Sequence, residues 1–324
     1  MEKLTLEKKN HFSNPAVLIA VALFCCALWG SATPAIKTGY KLLEIETGSL
    51  ENVPTIMLFA GIRFLLAGIL TVIIFSIAAK KPLYPKKENV PKILTVSVFQ
   101  TIIQYIFFYL GLAFTSGVKG TIASGSGAFF AVLVASLIFK QEKLTLKKIV
   151  ACTVGFVGIV IINFNGLEFT KDIRDFLGVI FVLLSTVSNA FSSVLIKKYS
   201  KDENPVVISG YQFIVGSTIM IIIGLAFGGT ITVNELADVL IFLYLALLSA
   251  LAYSLWGLLL KHNSVSSVTV FNFTTPIFGT LLTLILIPEE NSALAPLNVI
   301  ITLICVTVGI FMLNYTPKKK TESE

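Results

Sequence analysis

The side chains best suited to holding a small polar solute lie inside apolar runs of this 324-residue chain. Gln100 and Gln104 are four residues apart, so on a helix they share a face, with Tyr105 and Phe108 close by. Ser185, Ser188, Asn189 and Ser192 form an i, i+3, i+4, i+7 stripe, and Ser249 and Tyr253 repeat the four-residue spacing. Asn272, Thr274 and Thr275 come just before Pro276, a helix-breaking residue, and Ser31 follows close behind Trp29. An amide both donates and accepts hydrogen bonds, which suits a neutral or zwitterionic solute. Trp29, Tyr105, Tyr253 and Trp256 would supply the apolar walls of such a pocket. The candidate substrate contacts are therefore Trp29, Ser31, Gln100, Gln104, Tyr105, Ser188, Asn189, Tyr253, Asn272 and Thr275. A structural reading stands beside this one, because small polar residues also join helices through interhelical hydrogen bonds. The serines and threonines fit that reading best.

Charged residues narrow the chemistry. All 18 Asp and Glu residues fall in loops or at the ends of apolar runs. A proton relay or a cation site inside a membrane ordinarily uses a buried acid. The sequence therefore argues against carboxylate-driven antiport of organic cations and for a neutral, zwitterionic or anionic substrate. No His-Glu-x-x-His pattern, nucleophile triad or phosphate loop is present, so an enzyme, a cofactor and a metal site are not expected. Arg63 is the costly residue within a run. It is either a positive group for a substrate carboxylate or phosphate, or a structural arginine that snorkels or binds carbonyls. Lys37 and Lys119, at the ends of runs, read as interfacial anchors. Glu142 and Glu289 end two runs and are candidates for a gating role, against the alternative of solvated helix-end carboxylates.

These side chains must be positioned by membrane helices. Hydrophobic residues make up 55% of the chain and charged residues 13%, with a mean hydropathy of +0.87. A soluble domain carries about 25% charged residues. Ten runs approach the ~20 residues a helix needs to cross a bilayer. They are 16–38, 55–79, 92–113, 118–139, 147–164, 176–197, 205–227, 238–260, 265–287 and 297–315. Span 1 extends past the small residues Gly30 to Ala32, which argues against a cleaved signal peptide. Cys25, Cys26, Cys152 and Cys305 lie in apolar runs without zinc-like spacing, and His11 and His262 lie in polar segments.

The net charge of +7 raises nucleic acid as a partner, but the basic residues sit between the runs. With the N-terminus inside, 19 of the 25 Lys and Arg fall in inner segments and 5 in outer ones, with Arg63 inside a span. The positive-inside rule then places both tails, 1–15 and 316–324, in the cytoplasm. The cluster Lys318 to Lys320 reads as stop-transfer and lipid-facing.

The ten spans carry an internal repeat. Ala35-Ile36-Lys37 answers Leu195-Ile196-Lys197, which aligns Trp29 with Asn189. Gly111-Leu112 answers Gly257-Leu258, the run ending at Glu142 answers the run ending at Glu289, and Gly158 answers Gly309. Five spans per copy would insert the copies upside down relative to each other. The fold class is thus an all-α polytopic membrane protein, with ten transmembrane helices as two inverted five-helix repeats, 16–163 and 176–315. Gly155 and Gly158 permit close helix approach, for internal packing or a homodimer contact.

The chain resembles the drug/metabolite transporter superfamily, EamA type, over nearly its whole length. The resemblance is carried by Leu28-Trp29-Gly30-Ser31, Ala35-Ile36-Lys37, Arg63-Phe64, the stretch Tyr109 to Ser116, Glu142-Lys143-Leu144-Thr145, Gly155 to Ile162, Thr275-Pro276-Ile277-Phe278 and Glu289. It implies a cavity lined by spans 1, 3, 4, 6, 8 and 9. The family carries arginine at the place of Arg63 across unlike substrates, which favours the structural reading there. One departure stands out. The family has proline midway through both span 4 and span 9, whereas this chain has Pro276 but only Ala128 or Phe129 at the matching place. Gly125 and Gly127 are the local source of flexibility in span 4, so a break there is left open. The implied function is secondary transport of a small organic metabolite, an amino acid or related solute, with export the common direction, across a prokaryotic cell membrane. The partners expected are a small-molecule substrate and membrane lipids. A lipid or lipid-precursor flippase and a non-transporting scaffold or sensor are the alternatives.

Overall fold

The computed structural model describes residues 11–164, 172–286 and 296–314. Among them no strand occurs and long helices follow one another through the chain. In hydrocarbon the backbone has no water to bond, so each span must satisfy its own N–H and C=O groups, as a helix does. We label the helices α1 (Pro15–Leu42), α2 (Val53–Ala78), α3 (Lys87–Phe114), α4 (Gly117–Ile138), α5 (Leu146–Ile162), α6 (Ile173–Tyr199), α7 (Pro205–Ala226), α8 (Leu236–His262), α9 (Val265–Leu282) and α10 (Pro296–Asn314). The helix continues past Leu282, its last regular segment running from Thr275 to Leu286 and counted here with α9. Among the described residues nine helices are long and apolar enough to cross a membrane. The tenth expected span, α5, has 17 residues. At 1.5 Å per residue it is about 25 Å long, a little short of a ~30 Å hydrocarbon core.

The helix starts are written in the sequence. Asn14 and Asn204 each precede a proline, and their side chains accept from the backbone N–H of Ala16 and Val206. Ser116 and Ser264 cap α4 and α9 in the same way, accepting from Lys119 N and Ser267 N. These bonds satisfy donors that a helix's first turn leaves open.

Three helices are irregular. α3 contains a π-helical turn at Val98–Ile103. α4 breaks at Ser126, between the segments Gly117–Gly125 and Gly127–Leu133, and ends in a π turn at Val134–Ile138. Gly125 and Gly127 thus flank an interruption of α4 at Ser126. α9 has a 3₁₀ segment, Val270–Thr274, and Pro276 follows as the second residue of the next α segment. A proline there forfeits no helical bond.

The helices pack in a regular set of pairs. α1 lies against α8 and α9, and α6 lies against α3 and α4. α2 packs on both α7 and α8, α3 also meets α7, and α5 packs on α10. Two apolar cores result. One contains Phe271, Phe273 and Trp256, and the other contains Phe59, Phe64 and Phe213.

One end of the bundle carries the lysine-rich segments. There Glu203 accepts from Lys86 N at 2.9 Å and from Asn89 Nδ2 at 3.1 Å, while Asp202 pairs with Lys92 at 2.6 Å. These bonds tie the start of α3 to the start of α7. Burial raises the pKa of the Glu203 carboxyl, but the bonds from Lys86, Asn204 and Asn89 outweigh it and leave a net lowering. The Lys92 bond lowers the Asp202 carboxyl. Lys197, in the last turn of α6, donates to the carbonyls of Leu260 and Asn263 at the close of α8. A cation suits that place, where helical carbonyls lack partners.

α2 and α7 come together through glycine. A Cβ on Gly68 would lie 2.7 Å from the Gly210 carbonyl oxygen and 2.9 Å from Ile214 N. Both are backbone atoms and cannot rotate away. Gly68→Val is expected to force the helices apart at a cost of about 1–3 kcal/mol. The melting temperature in detergent should fall, whereas Gly117→Ala, with open space around it, should leave it unchanged.

Candidate substrate-binding site

Tyr253 of α8 is the centre of a cluster of aromatic side chains. Its hydroxyl lies 3.0 Å from that of Tyr105 on α3. Its ring meets Trp29 of α1 at 5.2 Å and Phe213 of α7 at 4.8 Å, both edge to face. Trp29 also meets Trp256 at 4.9 Å. Phe64 of α2 stacks on Phe213 at 5.0 Å and leans on Tyr105 at 4.7 Å. Five helices thus converge through rings in the edge-to-face and stacked arrangements that aromatic quadrupoles favour. The tyrosine pair uses one of its two O–H protons internally, leaving the other to donate elsewhere.

Beside Tyr105, Gln104 accepts from Asn189 Nδ2 of α6 at 2.9 Å. This bond leaves the Gln104 NH₂ and the Asn189 carbonyl with donor and acceptor capacity. The helical spacing of Gln100, Gln104 and Tyr105 is altered by the π turn that ends at Ile103. Such turns recur at functional sites because they re-aim side chains.

Arg63, the eleventh residue of α2, is 5% exposed. Its Cζ sits 4.4 Å from the centre of the Phe64 ring. Its Nε is buried without a hydrogen-bond partner, and no ion pair involves Arg63 among the described residues. Nearby, Tyr109 lies 5.8 Å from the Tyr105 ring on α3, and Tyr40 of α1 meets Phe59 of α2 at 5.1 Å. Burying an ion costs several kcal/mol, and a desolvated cation–π contact returns about 2 kcal/mol. The ring therefore offsets only part of the cost.

The remaining candidates are scattered around this centre. Ser31 bonds to Leu28 O and receives a bond at 2.8 Å from Tyr244, which is exposed on α8. Ser188 donates to Phe99 O at 2.6 Å, joining α6 to the π turn of α3. Gln100 is buried with its Oε1 unpartnered, and Asn272 Oδ1 and Thr275 Oγ1 on α9 are likewise buried without partners. Lys119 pairs with Asp175 at 2.5 Å, tying the start of α4 to the start of α6. Glu289 lies outside the described residues. Sequence reasoning missed Tyr40, Phe64, Tyr109 and Phe213. The four-residue spacing of Tyr105 and Tyr109 was a usable signal. The phenylalanines offered none, because an apolar ring on an apolar helix marks no face.

Glu142 forms a latch at the lysine-rich end. Its carboxylate accepts from Ser266 N at 3.0 Å, from Ser266 Oγ at 2.5 Å and from Lys148 at 2.6 Å. It therefore joins the end of α4 to the first turn of α9, where N–H groups are open and negative charge is favoured. At the opposite end a cavity of about 890 Å³ opens among Thr38, Lys41, Thr55, Thr230 and Asp238. A smaller cavity of about 530 Å³ lies at the lysine-rich end, among Lys86, Lys92 and Asp202.

A bundle of apolar helices, nine of them among the described residues long and apolar enough to cross a bilayer, marks a multi-pass membrane protein. The EamA-like transporter family model matches residues 16–164 and again 176–315, and the chain belongs to that family. An uncharacterized transporter of Archaeoglobus fulgidus is 26% identical over 190 residues, covering 58% of this chain and 60% of the relative. The chain thus spans less than two thirds of that relative's length. An uncharacterized transporter of Synechocystis is 24% identical, covering 98% of this chain and 96% of its own. A protein of known crystal structure, 14% identical, superposes with a TM-score of 0.74 over 91% of this chain and 97% of its own, a likeness of fold.

Glu142→Gln removes the charge from three hydrogen bonds. It is expected to destabilise the protein by about 1–3 kcal/mol. Thermal unfolding in detergent should show the loss, with Glu51→Gln, at an exposed residue, as the unchanged reference.

Proposed function

We propose that the protein is a secondary carrier that moves a small organic metabolite, an amino acid or related solute, across the cytoplasmic membrane by alternating access, with export as its direction. The observation that carries this reading is that the site is shared between the two halves of the chain. Gln104 bonds Asn189, and Tyr105 bonds Tyr253. A solute held between halves that move against each other can be offered first to one side and then to the other.

The packing pairs support ten spans arranged as two inverted repeats. Advancing each helix by five exchanges α1–α8 with α3–α6, α1–α9 with α4–α6, and α2–α8 with α3–α7. The pairs α2–α7 and α5–α10 map onto themselves. The separate family matches to the two halves agree with that division, 16–163 and 176–315. In this reading α5 is the tenth span and both tails are cytoplasmic. The Glu142 latch then closes the cytoplasmic side, while the 890 Å³ cavity faces outward.

Counterflow in proteoliposomes tests the carrier. Amino acids, nucleosides, sugar phosphates and quaternary amines would each be preloaded in turn and followed as the labelled solute. One class should exchange, with the rate lost in Gln104→Ala and altered in Glu142→Gln. Exchange of no class would refute the carrier, and an unchanged rate in Glu142→Gln would refute the gate. Orientation has its own test. A membrane-impermeant maleimide applied to intact cells should label Glu46→Cys and spare Lys201→Cys, both at exposed positions. The reverse pattern would invert the topology.

A further inference from the structure

We propose that Arg63 binds the carboxylate of the transported solute, so that the substrates are small organic acids with a single carboxylate, α-amino acids among them. This deepens the carrier reading and rests on it.

The first argument is the missing partner. Arg63 is more than nine-tenths buried, its Nε has no acceptor, and no carboxylate among the described residues lies within ion-pair distance. The Phe64 ring covers the guanidinium carbon. A ring accepts no N–H bond in the plane of the fork, where a carboxylate binds two N–H groups side by side.

The second argument is the setting. Phe64 leans on Tyr105, whose hydroxyl meets that of Tyr253, so the cation adjoins the cluster built from both halves of the chain. The spare phenolic proton is a further donor for an oxyanion. Tyr40 of α1 meets Phe59 of α2 at 5.1 Å and lies in sequence between Thr38 and Lys41, which line the 890 Å³ cavity.

The third argument selects the charge. Arg63 is the one basic residue well inside a span, since the other Lys and Arg lie at or beyond helix ends. A phosphate monoester or a dicarboxylate would bring a second negative charge without a partner, which is costly in a desolvated site. A monocarboxylate leaves none. The ammonium of an amino acid finds acceptors in the Asn189 carbonyl and the phenol oxygens, so zwitterions remain in the class.

The test is titration calorimetry on the purified protein in lipid nanodiscs at physiological salt. The ligands are the standard amino acids and a series of aliphatic and aromatic monocarboxylates, each beside its carboxamide, with succinate as a dianion. At least one acid should bind at least about tenfold more tightly than its amide, a difference of about 1.4 kcal/mol. Arg63→Gln should erase that preference, and Arg63→Lys should restore part of it. Equal binding of acid and amide, tighter binding of succinate than of every monocarboxylate, or a preference that survives in Arg63→Gln would overturn the proposal. So would binding of none of the acids. If Arg63→Gln does not fold, as judged by gel filtration, the acid–amide comparison in the wild type decides alone. Counterflow separates the two readings. Exchange of a solute without a carboxylate keeps the carrier and removes this substrate class, whereas absence of all exchange removes the carrier itself.

Discussion

In a hydrocarbon environment every polar group must find its partner inside the protein, and the rest of the structure follows from that constraint. It makes the spans helical, and it makes each buried polar side chain informative. Most have an evident partner. Thr101 donates to Gln212 Oε1 at 2.6 Å, Ser97 donates to Gln212 O, and Thr302 donates to Gly158 O. Those bonds hold helices together. Among the described residues ten buried side-chain atoms have no partner, on Thr71, Ser136, Gln141, Gln212 (its Nε2) and Ser254 and on five candidate site residues, Trp29, Arg63, Gln100, Asn272 and Thr275. These five candidates lie on four helices, α1, α2, α3 and α9.

The irregular backbone follows the same logic. α3, α4 and α9 each depart from regular α geometry, through π turns, the break at Ser126 and a 3₁₀ segment. Departures of this kind open carbonyls and hydroxyls that need partners, and some are met locally. Ser188 bonds the carbonyl of Phe99 within the π turn, and the Ser126 hydroxyl bonds Ala123 O. Irregular helix within a membrane protein is tolerated where neighbouring protein covers it.

Much of this was legible in the sequence, and the reason is physical. Spans are long apolar runs, so their number and order come almost directly from hydropathy. α5 is the short helix of the set, because its run begins in lysines that the helix includes and stops at Ile162. The candidate site is legible in part. Trp29, Gln104, Tyr105, Asn189 and Tyr253 stand out in the sequence as polar or amphipathic residues within apolar runs, and the fold brings them together. Ser31 stands out on the same ground, and it bonds the exposed Tyr244. On a helix that is apolar all round, spacing shows which residues share a face but not which face turns inward. Phe64 and Phe213 were invisible for the complementary reason, since their chemistry matches that of the lipid-facing residues beside them.

The latch shows how a membrane carrier of the proposed kind could move without an intramembrane acid. Glu142 grips the first turn of α9 through a backbone N–H and a serine hydroxyl, with Lys148 balancing its charge. All three groups sit at the lysine-rich end of the bundle, where opening would bring water to them. Breaking a hydrogen bond that water can replace costs only about 0.5–1.5 kcal/mol net, more where a charge is involved. A contact of that strength holds one state and still lets the other become populated. The same carboxylate at mid-membrane would have no water to replace its partners, and opening would leave a charge unpaired in hydrocarbon. Under the proposed function, acids at the helix ends and the buried Arg63 beside the aromatic cluster divide the labour accordingly: the ends change partners, and the centre keeps a charge that a solute of opposite sign would complete.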